Sequence, residues 1–157
     1  MNGRKLFYFL SALLVLFAAS SCSKENVEPA PKTPEQYLTS KSWKLQELRS
    51  LISNTTYFYQ RGSSNALNFN YDSESIQFKA DYTGIYRGKD GDVTPFTWSF
   101  IDAGKTRLRY LLQRTPVLTI NWEIAVLDDF KLIYNEYYTQ GSANAQSYGT
   151  RIPLASF

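Results

Sequence analysis

The chain has 157 residues, a formal charge of +3, a single cysteine and no histidine. Lacking histidine, it is without the commonest general base, triad partner and transition-metal ligand. One cysteine excludes an intramolecular disulfide. Aromatics form 16% of the chain and Tyr leads them, a bias that favours strands.

Arg4 and Lys5 precede an apolar run from Leu6 to Ala19, closed by Ala18, Ala19, Ser20 and Ser21. This is the three-part layout of a secretory signal peptide. The run is shorter than the ~20 apolar residues a membrane-spanning helix needs. Cleavage before Cys22 removes Arg4 and Lys5 and no acidic residue, so the charge falls from +3 to +1. A nearly neutral domain offers no electrostatic footprint for nucleic acid.

Ala19-Ser20-Ser21-Cys22 resembles the lipobox of bacterial lipoproteins, in the looser form familiar from Bacteroidota. The resemblance implies a signal peptide over residues 1–21 and acyl chains such as palmitate on Cys22. The partner it implies is a membrane, held through that lipid. Two or three acyl chains make such attachment effectively permanent, where one alone holds marginally. A free thiol left by ordinary cleavage is the alternative. Ser23 follows, with no Asp there to suggest inner-membrane retention, and Lys24-Glu25 partly matches a surface-export signal. The expected location is the outer membrane, on its periplasmic face or at the cell surface.

Residues 22–32 form a polar linker with Pro29 and Pro31, a semi-extended spacer. Residues 33–157 form the expected folded domain. Thr33-Pro34-Glu35-Gln36 has capping-box spacing and predicts a short helix through about Thr39. The period then changes to two. Trp43, Leu45, Glu47 and Arg49 alternate with Lys44, Gln46, Leu48 and Ser50. Thr55 to Arg61 is a second strand, and Ala66 to Tyr71 a loop or edge strand. Ser75 to Ala80 and Thr83 to Arg87 predict a hairpin around Asp81, before a turn at Gly88–Asp92. Phe96, Trp98 and Phe100 share a face. Leu108, Tyr110 and Leu112 oppose Arg107 and Arg109. Leu118, Ile120, Trp122, Ile124 and Val126 alternate strictly with polar or small residues. After Asp128-Asp129, Phe130, Leu132 and Tyr134 form the next apolar face. Gly141 to Ser147 predicts a flexible loop, and Tyr148 to Leu154 a closing strand. The expected fold is all-β: a small antiparallel meander barrel of about eight strands, preceded by a short helix.

In that order the chain resembles the lipocalin-like lipoproteins of Bacteroidota, from about Leu38 to Ala155. The resemblance is carried by Leu38-Thr39-Ser40-Lys41-Ser42-Trp43-Lys44-Leu45, Ile76-Gln77-Phe78-Lys79-Ala80-Asp81, Thr83-Gly84-Ile85-Tyr86 and Phe96-Thr97-Trp98. Trp122-Glu123-Ile124-Ala125-Val126-Leu127 and Lys131-Leu132-Ile133-Tyr134 complete it, with Pro153 near the end. Lys41 stands where true lipocalins carry Gly. The resemblance implies a barrel with a role in binding and no catalytic set.

Trp43, Trp98 and Trp122 read as barrel packing or as an aromatic lining for an apolar or sugar ligand. With Tyr86, Tyr110 and Tyr134 they form the candidate ligand-binding set. Arg107 and Arg109 face solvent in an ordinary barrel, though such a pair can grip an anion. Asp90 and Asp92 are turn residues, with too few oxygens at ordered spacing for calcium. No phosphate loop or nucleophile motif occurs. The expectation is a non-enzymatic protein without metal or cofactor, binding a small apolar or amphipathic ligand. The alternative is a filled barrel that contacts protein or glycan through its Tyr-rich exterior.

Overall fold

The computed structural model describes residues 30–52, 54–63, 70–140 and 143–154. Cys22 and residues 1–21, expected as a signal peptide, lie outside them. The chain divides into two units, residues 1–31 and 32–157. Of the first, only Ala30 and Pro31 are described, and both are exposed.

Helix α1 (Pro34–Thr39) begins with the capping box its spacing predicts. Thr33 Oγ1 accepts from Gln36 N at 3.3 Å, and Gln36 Oε1 accepts from Thr33 N at 2.8 Å. Pro34 occupies the first turn, where no intrahelical donor is needed. One and a half turns are too short to be stable alone. The helix is held by Leu38, which is fully buried. It is also tied by its flanks: Lys105 pairs with Glu35 at 2.6 Å, and Lys32 and Lys41 both pair with Asp129.

Nine strands follow: β1 (Ser42–Ile52), β2 (Thr55–Gln60), β3 (Ser75–Phe78), β4 (Thr83–Arg87), β5 (Val93–Phe100), β6 (Arg107–Leu112), β7 (Leu118–Leu127), β8 (Leu132–Gln140) and β9 (Ala143–Pro153). Every pairing is antiparallel. From β3 to β9 each strand pairs with the next in sequence, a meander. β1 pairs with β9 along its length, from Trp43↔Pro153 to Ile52↔Ala145. Its other edge is shared: Ser42–Lys44 pair with β3, and Glu47–Ile52 with β2. Eight strands therefore close an antiparallel barrel, and β2 extends its wall beside β1. Closure removes the free edges an open sheet would expose.

Asp side chains set three of the tight turns. Asp81 Oδ1 accepts from Thr83 N, Asp102 Oδ1 from Thr106 N and Arg107 N, and Asp128 Oδ1 from Phe130 N and Lys131 N. This local capping is why Asp favours turns.

The structure corrects the sequence expectations at four places. A bulge between Leu45 and Glu47 reverses the facing of β1. Trp43 and Leu45 point inward, as do Leu48 and Ser50 beyond the bulge, while Glu47 and Arg49 pair with each other outside. An extra residue in one strand does exactly this to a period of two. A second shift, between Ile124 and Val126, brings Leu127 rather than Val126 against the core. Phe130 is 79% exposed, because the Asp128 turn carries it outward. Residues 143–147, expected in a loop, belong to β9: β8 pairs with all five, and β1 also pairs with Ala145, Gln146 and Ser147. Tyr71 lies outside any strand, and residues 66–69 lie outside the described set.

The interior has two halves. Toward the helix end it is filled by Leu38, Trp43, Ile76, Phe78, Phe96, Trp98, Leu108, Trp122 and Leu132. Phe78 sits at the centre, with edge-on contacts to Phe96, Trp98, Tyr110 and Trp122 at 5.2–6.4 Å. Gly84 makes room there, since a Cβ would overlap the Phe96 ring. Trp43 Nε1 donates to Leu38 O at 3.0 Å, which joins the helix to this plug. The other half is hollow.

Candidate functional site

The hollow half is a cavity of about 300 Å³, at the lower end of the ~300–1,000 Å³ typical of small-molecule sites. Strands β1, β4, β6, β7, β8 and β9 line it, and the segment before β3 completes one wall. Its mouth lies at the end of the barrel away from α1. Leu48, Ile52, Leu112, Leu118 and Ile120 supply apolar wall toward that mouth, with Arg114 beside them. The floor is polar.

That floor is built around a buried ion pair. Arg151 Nη1 and Nη2 donate to the two carboxylate oxygens of Glu74 at 2.8 and 2.7 Å. The residues are 4% and 1% exposed, so neither charge would be tolerable alone. Arg151 Nε donates to the Tyr134 hydroxyl at 3.0 Å. Its guanidinium also lies over the rings of Trp122 and Tyr134, which stack on each other at 4.0 Å. Burial opposes the charge on Arg151, yet the adjacent Glu74 carboxylate outweighs it and holds the guanidinium charged. Gly149 leaves the space that Tyr134 fills, since a Cβ there would overlap its ring.

The bulge in β1 helps to deliver Glu74. Arg61, just after β2, donates from N to Gln46 O at 2.9 Å and from Nε to Leu45 O at 2.7 Å. Its Nη1 reaches Asp72 O at 2.7 Å and Nη2 reaches Tyr71 O at 3.1 Å. Tyr59, fully buried, donates to Asp72 Oδ1 at 2.8 Å. β2 thus fixes the segment that ends in Glu74, whose Oε2 also accepts from Leu45 N at 3.3 Å.

A second carboxylate completes the floor. Glu136 lines the cavity from β8. Its Oε2 accepts from Trp122 Nε1 at 2.7 Å and, longer, from the Tyr110 hydroxyl at 3.4 Å. No lysine or arginine among the described residues forms an ion pair with it. Burial raises its pKa above the ordinary carboxylate value, against the opposing pull of the Trp122 bond and Arg151. Burial likewise raises the phenols of Tyr86, Tyr110 and Tyr134, and pushes Tyr71 up to about 12. All four are neutral at physiological pH.

The six candidate residues separate by depth. Tyr86, Tyr110 and Tyr134 line the cavity. Trp43 and Trp98 are packed in the filled half. Trp122 lies beneath the floor and reaches it through its indole N–H. Sequence reasoning passed over Glu74, Glu136 and Arg151. A signal for two of them was present: Glu136 is in phase with Leu132, Tyr134 and Tyr138, and Arg151 with Ala145, Ser147 and Gly149. A charge on an inward-facing position of a strand is costly unless paired. Arg107 and Arg109 are exposed, and Arg109 Nε donates to Asn121 Oδ1 at 2.9 Å. Among the described residues no group of three acidic, Cys or His side chains could hold a metal ion. None of their helices is long and apolar enough to cross a membrane.

No protein-family model matches the chain, and no curated protein matches it.

Proposed function

We propose that this chain is a lipid-anchored outer-membrane protein of the lipocalin-like kind, whose barrel binds a small amphipathic ligand without catalysis. The observation that carries the binding reading is the cavity of about 300 Å³, open at one end, with apolar walls and a polar floor. Such a shape suits a molecule with an apolar body and a polar head inserted first. The aromatic plug supports the same reading by giving the cavity a rigid base. The absence of histidine supports binding rather than turnover. Lipid attachment rests on Ala19-Ser20-Ser21-Cys22 and the apolar run before it.

The test is native mass spectrometry of the chain released from its host membrane in mild detergent. The expected result is a co-purifying small molecule that Ile120→Trp, which fills the cavity, displaces. Acyl groups on the peptide that begins at Cys22, lost in Cys22→Ser, are expected in the same sample. A protein free of small molecules and of acyl chains would refute both halves.

A second reading, contact with a protein or glycan, has its own support on the outer wall. Phe58 and Tyr148 flank Arg49 across the sheet, and Leu51 and Tyr137 flank Gln146 in the next row. These four are 36–48% exposed. Tyr and Arg are enriched at such surfaces. Phe58→Asp should abolish partner capture under this reading and leave ligand content unchanged.

A further inference from the structure

We propose that the cavity selects a cation: a small primary amine on a short apolar stem, its ammonium group seated against Glu136. This rests on the binding reading above and adds the sign of the ligand's charge. The default amphipathic ligand would carry a carboxylate, and the floor is wrongly charged for one. Among the described residues two cations line the cavity: Arg114, exposed and toward the mouth, and Arg151 in the floor, which is already engaged. Both its terminal nitrogens hold the Glu74 carboxylate, at 2.8 and 2.7 Å, and Nε holds Tyr134. With that pair cancelling, Glu136 is the carboxylate of the floor without a charged partner among the described residues, and an ammonium group beside it would hold it ionised against the effect of burial.

Glu136 is also presented as an acceptor. Its two bonds come from neutral donors, Trp122 and Tyr110, and both fall on Oε2. Oε1 accepts nothing from the described residues. An ammonium group there gains a charge-assisted hydrogen bond, which is about twice as strong as a neutral one. An anion would meet like charge in a poorly screened site.

The walls favour the same sign. Tyr71, Tyr86, Tyr110, Tyr134 and Tyr138 line the cavity. None of them brings a positive charge for an anion, and an aromatic ring attracts a cation over its face. Leu112, Leu118 and Ile120 then receive the stem on the way to the mouth. A volume of about 300 Å³ limits the ligand to a compact aryl- or alkylamine.

The experiment compares phenethylamine, phenethyl alcohol and phenylpropionate, which share a ring and stem and differ in charge. The full chain in mild detergent is titrated with each and followed by tryptophan fluorescence, since Trp122 touches Glu136. The amine should bind about tenfold tighter than the alcohol, and the carboxylate weakest, on the strength of a charged hydrogen bond. Glu136→Gln should remove the advantage of the amine over the alcohol. The charge series on the unmodified chain stands even where that variant folds poorly. Tightest binding by the carboxylate, or equal binding by amine and alcohol, overturns the cation assignment and leaves the binding reading intact. Binding by none of the three overturns both.

Discussion

Arg151 and Glu74 show how a small barrel keeps charge inside itself. Each is tolerable because the other is present, so the two should fail together rather than separately. Arg151→Met leaves Glu74 buried and unpaired, and should cost about 3–5 kcal/mol. Adding Glu74→Leu should return part of that loss, giving a favourable coupling in a double-mutant cycle measured by urea unfolding. Glu136 behaves differently, because no cation is paired with it. Burial raises its pKa in the folded state, so the native protein binds the proton more tightly than the unfolded chain. Stability then falls as pH rises from the ordinary Glu range through the raised value. Glu136→Gln keeps an acceptor for Trp122 and removes the titration. Its Tm should decline less than that of the parent as pH rises above the ordinary Glu range, about pH 4.

Among the elements, α1 depends on its cap and on one buried side chain. Thr33→Ala removes the acceptor for Gln36 N and should lower stability by about 1 kcal/mol, read as a shift in the urea midpoint. Such devices were legible in the sequence because they are local. The capping box, the turns at Asp81 and Asp128 and the clean alternation of β5, β6 and most of β7 each need only a few neighbouring residues to be recognised. The two bulges were not legible, since an inserted residue leaves no mark of type: Gln46 and Ala125 look like any other strand residues. Residues 143–147, Ala-Asn-Ala-Gln-Ser, have the composition of a loop and form strand because β8 pairs with all five and β1 with the last three. The floor of the cavity was legible only as the inward phase of Glu136 and Arg151, not as one site. Glu74, Glu136 and Arg151 come from three distant segments, and only the closed ring brings them together.

For the molecule as a whole, ring closure joins β1 to β9, with Trp43 opposite Pro153. Deleting residues 143–157 should therefore do more than shorten the barrel. It leaves β1 and β8 each with an unpaired edge, and the product should aggregate where the full chain stays monodisperse in gel filtration. The same pairing governs the order of events in folding. Contacts between distant parts of a chain form slowly, so refolding should fall in the ms–s range of non-local β proteins when followed by stopped-flow fluorescence. A chain emerging from the ribosome has no last strand to close upon, and neither the ion pair nor the cavity exists until that strand arrives. Up to that moment the polypeptide can still be threaded through a narrow channel, which any protein that crosses a membrane before folding has to be.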